Sequence, residues 1–254
     1  AAIPDPAARA NAGTELKKEH RTGYESKDPE VRRTLARTLL ERANAAEVDA
    51  VHRYVHLDQA VALAEGVRDV RLALEAVDRL SIAFQGEAAP RGLLALENVT
   101  RGAKDMSVVA EAATACVEMV GVALSADDAG SAVRAVTMAK TLAKTAKLSG
   151  LVARATEVGT FVDAYRKSSG AAVAARKVLE ATPDDPGANE AVGRFLAFGR
   201  GRWDEGLPHL GKAGGALGAL AAKAVASAED ATARQAVADG WWDLGQKEKD
   251  GLAR

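Results

Sequence analysis

Aromatic residues make up only 4% of this 254-residue chain. Runs of β-branched residues are equally scarce, so little is left from which strands could be built. That shortage excludes an all-β fold and leaves almost no room for a parallel α/β fold. There is a single cysteine, Cys116, so no internal disulfide can form. Neither sign of charge dominates: 34 basic and 35 acidic side chains give a formal net charge of −1. A nucleic-acid module would carry a basic excess, so none is expected as a partner. Long apolar runs are missing too. The longest stretch without a charge, Ala213–Ala222, has about ten residues, half of the roughly twenty that a membrane span needs.

What the chain does have is alanine, 57 residues of it, the strongest intrinsic helix former. With 48% hydrophobic and 27% charged residues the composition is that of a folded protein with a core. Punctuation divides the sequence into about ten helices joined by short turns. Asp28-Pro29-Glu30 puts a capping residue before a proline at the first helical position, and Val31, Leu35 and Leu39 follow at four-residue spacing. Tyr54, Leu57, Val61 and Ala64 form the next stripe, ending at Gly66. Val70, Leu74, Val77, Ser81 and Phe84 are the most regular pattern in the chain, and Gly86 closes it. Further helices are expected over 88–104, 107–124 and 129–148. A long one runs over 151–181, either continuous or broken at Ser168-Ser169-Gly170, before the stop-and-restart signal Thr182-Pro183-Asp184-Asp185-Pro186. Helices of this length joined by short turns imply antiparallel hairpins. Ten of them exceed a four-helix bundle and favour an all-α solenoid.

The segment after Pro186 carries a more specific pattern. Val192-Gly193 is followed by Gly201-Arg202-Trp203, then Gly206 and Leu210. This resembles a tetratricopeptide repeat, in which a Leu-Gly pair, a Gly-x-aromatic turn, a small residue and a large apolar one recur. Trp203 stands for the turn aromatic with one residue inserted, and Gly206 takes the small position where two helices cross. Asn189 replaces the usual first aromatic. A second echo, with Gly240 and Trp241, lies about 45 residues further on. The resemblance is also to the helical-repeat portions of large bacterial envelope or secreted proteins. It implies a single α-solenoid over 1–254: an extended arm at 1–6, divergent hairpins over 28–181, and the most repeat-like part over 186–250. A non-enzymatic scaffold with a groove for a protein partner, or for copies of itself, is the implied function.

Motifs with chemical meaning are few. The spacing Gly206-Leu207-Pro208-His209-Leu210-Gly211-Lys212 is that of a phosphate-binding loop, but Ala213 stands where a magnesium-binding hydroxyl is needed and no strand precedes it. Glycine capping of a helix is the expected reading. His52 and His56 are one helical turn apart without the glutamate of a zinc-protease motif, and they fall opposite the Tyr54 stripe, as structural or solvated side chains. Asn98-Val99-Thr100 is a glycosylation sequon placed inside a helix. Asp127-Asp128 and Asp184-Asp185 fit helix starts better than paired-carboxylate catalysis. Cys116, in an apolar helical stretch, is expected to be buried and inert. No catalytic residue, cofactor or metal is expected.

The ends suggest a mode of association. Ala1–Pro6, with Ile3, Pro4 and Pro6, reads as an extended arm, and Trp242 points away from the apolar face formed by Val237, Trp241 and Leu244. A head-to-tail contact between the arm and Trp242 of another copy would be heterologous and would propagate into a ring or filament. The alternative function is a helical accessory domain that offers its groove to a small molecule or glycan. Small residues before an early proline also resemble a signal-peptidase product, so a secreted or envelope location is expected. The all-α reading has a direct check. Far-ultraviolet circular dichroism is expected to show strong helical minima corresponding to more than about 70% helix, against a base rate of roughly a third.

Overall fold

Seven aspartates open helices in this protein. The carboxylates of Asp5, Asp28, Asp49, Asp69, Asp105, Asp128 and Asp185 each accept from one or two free N–H groups of the turn that follows. Each such cap contributes about 1 kcal/mol. In the computed structural model, residues 1–226 and 231–247 are described. Among them 83% are helical, with no strand, in thirteen α-helices rather than about ten. The chain divides into two compact units, Ala1–Thr156 and Glu157–Arg254.

The first unit holds α1 (Pro6–Glu19), α2 (Arg21–Glu25), α3 (Pro29–Ala43), α4 (Ala50–Gly66), α5 (Val70–Ala83), α6 (Ala88–Thr100), α7 (Met106–Ser125) and α8 (Ala129–Thr145). It also holds the first turns of α9 (Ser149–Ala181). Helices α1 and α2 precede the first helix read from the sequence. Pro6 does not extend the N-terminal arm as expected. It occupies the first turn of α1 behind its cap Asp5, the same Asp-Pro device that starts α3 and α10. Of the two readings of the long stretch the continuous one holds: α9 runs unbroken through Ser168-Ser169-Gly170, since serine and glycine weaken a helix interior by up to about 1 kcal/mol each without forcing a stop.

From α3 to α8 each helix packs on the next, and helices two apart also touch: α4 meets α6, α6 meets α8, α3 meets α5 and α5 meets α7. Alanines line these contacts. Ala132, Ala135, Ala139 and Ala143 form a fully buried stripe on α8, and Ala112, Ala113, Cys116 and Ala123 are fully buried on α7. Side chains this small let helix axes approach closely. α7 is long and apolar enough, at a mean hydropathy of 1.6, to cross a membrane by length and composition, and half of that window is buried within the protein. The uncharged-run test passes over it because Glu111 and Glu118 interrupt the stretch.

Three of the turns are built alike. Arg68, Asp127 and Lys147 take left-handed φ values of 58°, 60° and 57°. The next residue in each case donates its N–H five residues back, Asp69 to Ala64, Asp128 to Ala123 and Leu148 to Ala143, at 3.0, 2.8 and 2.9 Å. This is the Schellman closure, made without the glycine that usually marks it. Two of these turns hand directly to an aspartate cap. Arginines close other helix ends: Arg53 donates to the Ala43 carbonyl at 3.0 Å and Arg68 to that of Val99 at 2.8 Å.

α4 is packed by α1, α3, α5 and α6, so it buries more than the Tyr54 stripe. His56 is a consequence. Instead of lying on a solvated back face, it is only 8% exposed, and its Nδ1 has no hydrogen-bond partner among the described residues. Burial first, then the charges of Arg42, His52 and His20 set against that of Glu19, holds its pKa below the ordinary 6.5. Arg42 and Glu19 pair with each other at 2.6 Å. Because the folded form resists the proton, stability is retained above about pH 6.5 and falls as pH drops below it, where the unfolded chain takes up a proton first. The melting temperature is expected to drop more between about pH 7.5 and pH 5.5 in wild type than in His56→Gln. Equal drops would show that His56 contributes nothing.

Candidate interaction surfaces

The second unit contains α9 from Glu157, α10 (Pro186–Arg194), a π-helical turn (Phe195–Gly199), α11 (Trp203–Lys212), α12 (Gly215–Ala226) and α13 (Ala231–Lys247). Val192 is buried with Ala175, Ala188 and Leu196, and Leu210 is buried with Ala197, Leu217 and Ala221. Gly193 and Gly206 face one another where α10 crosses α11. A Cβ on Gly193 would meet Leu210 Cγ at 2.7 Å, and one on Gly206 would meet the Ala197 backbone nitrogen at 2.8 Å and the Gly193 carbonyl oxygen at 3.0 Å. Gly206 therefore packs inside a helix. The glycine-capping account of residues 206–212 does not hold, since that whole segment lies within α11. Gly240 approaches only the flexible end of Leu220.

Asn189 is buried and holds the turn before α10. Its Nδ2 donates to the carbonyls of Pro183 and Asp185, both at 2.9 Å, and its Oδ1 lies 2.8 Å from His209 Nδ1 on α11. The imidazole donates in that contact, because the amide oxygen can only accept. Burial first, then the charges of Lys212 and Arg176, lowers the His209 pKa. Lys212 also reaches Asp184 at 2.9 Å. Of the two aspartate pairs, only the second member of each caps a helix; Asp127 takes the left-handed turn position and Asp184 pairs with Lys212.

Phe198, Trp203 and Trp241 stack edge to face, with ring centroids 5.2, 5.6 and 6.2 Å apart. Trp241 and Leu244 lie half-buried against the Leu210 cluster, with Val237 also half-buried on the same helix. Trp242 is 70% exposed and Trp203 40%. At the other end of the chain, the Ala1 nitrogen donates to the Ala83 carbonyl at 2.7 Å. Pro4 is half-buried and Ile3 is 45% exposed.

The remaining motifs fall into the packing. Cys116 is buried, and desolvation, with a smaller push from Glu97, raises its thiol to about 12, which suppresses the nucleophilic thiolate. In the sequon, Val99 is fully buried and Asn98 Nδ2 donates to Glu65 at 3.0 Å. No cluster of metal-ligating side chains occurs among the described residues.

A constellation that the sequence reading missed surrounds Tyr54. Its ring is buried against Phe84 at 5.2 Å edge to face, with the Arg9 guanidinium over the ring at 4.9 Å and that of Arg91 at 6.0 Å. Arg91 Nη2 also reaches the Tyr54 hydroxyl at 3.5 Å. Two surface grooves meet here. One, of about 320 Å³, is lined by Arg9, Thr14, Lys17, Tyr54, Asp58 and Gln59; the other, of about 380 Å³, runs between α4 and α6. The legible signal was Tyr54, placed on the core stripe. Its cationic neighbours come from α1 and α6, 45 and 37 residues away in sequence.

The crossing of α10 and α11 makes its own prediction. Gly206→Ala is expected to destabilise by about 1–3 kcal/mol, because the added methyl meets backbone, and Gly206→Leu by at least as much. Gly170→Ala, in α9 with nothing within 4 Å of the new methyl, is expected to stabilise by about 0.5–1 kcal/mol. Chemical denaturation compares the three; a neutral Gly206→Ala would mean that α11 is free to move away.

No protein-family model, no curated protein and no solved structure matches this chain.

Proposed function

We propose that this chain is a non-enzymatic helical-repeat scaffold for protein–protein interaction, an α-solenoid of tetratricopeptide-like hairpins. The observation that carries the reading is the order of contacts in the first unit, where each helix from α3 to α7 packs on its successor and each from α3 to α6 also packs on the helix two positions on. That is how stacked hairpins hide their apolar faces. The π turn at Phe195–Gly199 supports the repeat register of the second unit. A π turn takes up one residue more than an α turn. The repeat-like spacing carries one surplus residue between Val192-Gly193 and Gly201-Arg202-Trp203, the interval that this turn occupies.

Self-assembly is the second reading. Ile3 and Trp242 are apolar side chains left 45% and 70% exposed, at two different places on the chain. A contact between them in different copies would be heterologous and would propagate. An accessory domain that binds a small molecule or glycan has no comparable support: the grooves are open, and the aromatic rings stack mainly on one another.

Light scattering coupled to size-exclusion chromatography tests the assembly. The expected outcome is a mass that rises with protein concentration, and that returns to the monomer value in Trp242→Glu with helicity unchanged. A wild-type protein that stays monomeric at the highest attainable concentration overturns self-assembly and leaves the scaffold for other proteins as the reading to test.

A further inference from the structure

The groove between α4 and α6 has a polarity. The two helices run parallel: Arg91 reaches Tyr54 near their N-terminal ends, Asn98 bonds Glu65 towards their C-terminal ends, and Arg68, just past α4, caps the Val99 carbonyl near the end of α6. Between these points the groove is lined by Val61, Val77, Leu80 and Leu94. Leu94 is 51% exposed, a large aliphatic side chain standing in the middle of the cleft. Tyr54 and Glu65 are eleven residues apart on α4, which is about 16 Å along the helix. An extended peptide covers that distance with about five residues.

The two ends differ in charge. Beside Tyr54 stand the Arg9 and Arg91 guanidinium groups, with Lys17 along the adjoining groove. Among the described residues none of these three cations has a carboxylate partner within ion-pair distance, and Arg9 Nε is buried with no hydrogen bond. Each guanidinium lies on or beside the phenol ring; Arg91 gives one Nη2 donor to the Tyr54 hydroxyl and Arg9 Nε is buried, which leaves their remaining terminal N–H donors for a planar anion. At the far end Glu65 is half-buried and takes one hydrogen bond from Asn98. Burial raises the Glu65 carboxyl above its ordinary range, with the Asn98 hydrogen bond and the charge of Arg101 acting against that and the like charge of Asp58 adding to it, so a docked cation would stabilise its charged form. Asp58 lines both grooves, so a run of several acidic side chains would meet a like charge one turn beyond Tyr54. A single acid fits there; an acidic tract does not.

We propose that this groove docks an extended segment of a partner protein bearing an acidic, an aliphatic and a basic side chain in that order from Tyr54 to Glu65. The acid sits between Arg9 and Arg91, the aliphatic group packs on Leu94 and Val61, and the base meets Glu65. The assignment rests on the scaffold reading and adds the location and chemistry of the partner.

The probe is a library of displayed random dodecapeptides selected on the full chain. Retained peptides are then synthesised with a fluorophore and titrated by anisotropy. Peptides are expected to share an acidic and a basic residue about five positions apart with an aliphatic residue between them. Affinity is expected to fall about tenfold or more in Arg91→Glu, the size of losing a charge-assisted contact, and by a similar factor in Leu94→Lys. Replacing the peptide's acid by lysine is expected to recover binding to Arg91→Glu while weakening binding to wild type. Leu94→Lys, at a half-exposed position, keeps the test open if circular dichroism shows that Arg91→Glu is misfolded. Peptides indifferent to both substitutions but dependent on Trp203 or Trp242 would overturn this groove and leave the scaffold reading standing. Failure to retain any peptide would overturn the groove as well, and the scaffold reading would stand or fall on other surfaces of the chain.

Discussion

Helix axes in this protein come close together because the residues between them are alanine and glycine. A buried methyl contributes about 0.8 kcal/mol, against 1.5–3 kcal/mol for a leucine or phenylalanine side chain. An interface built on Ala132, Ala135, Ala139 and Ala143 is therefore weak per residue and must gain from length and from close, extensive van der Waals contact. Between α10 and α11 the same constraint is taken further: at Gly193 and Gly206 there is no room even for a methyl.

Close axes require short, well-satisfied turns. The aspartate caps and the Schellman closures supply them, since each meets the free N–H or C=O groups that a helix end leaves behind. Where Asp69 and Asp128 serve both as the residue that closes one helix and as the cap of the next, a single residue fixes two ends at once, its backbone N–H closing the first and its carboxylate capping the second. α4 shows what tight stacking does to a side chain's environment. Packed by four helices, it keeps Asp58 and Ala62 exposed but buries His56 and encloses Tyr54 between arginines of α1 and α6.

Much of the fold was legible in the chain. Alanine content and scarce aromatics set the helical class, and the stripes from Val31 to Phe84 located α3 to α5. Asp28-Pro29 and Asp185-Pro186 marked two helix starts, and the identical Asp5-Pro6 would have marked α1. The turns at Arg68, Asp127 and Lys147 were harder to see, because a left-handed residue announces itself only when it is glycine. Before Lys147 the end of α8 was accordingly placed late, at 148 where the helix stops at Thr145; the end of α6 was also placed late, at 104 rather than Thr100, although Gly102 takes the left-handed φ there.

The sequence by itself determined secondary structure, because capping, propensity and the 3.6-residue rhythm act within one or two turns of chain. The repeat-like spacing after Pro186 also marked Gly206 as a packing residue; a glycine inside a helix does not do so alone, since Gly170 in α9 has nothing within 4 Å of it. Tertiary structure decided what was buried twice over. A helical wheel assumes one buried face, and it put His56 on the outside because nothing within α4 records how many neighbours surround it. The meeting of Arg9, Tyr54 and Arg91, and the opposite charge of Glu65 at the far end of the same groove, depend on α1, α4 and α6 lying side by side. That placement comes from packing between segments tens of residues apart, and no local pattern encodes it.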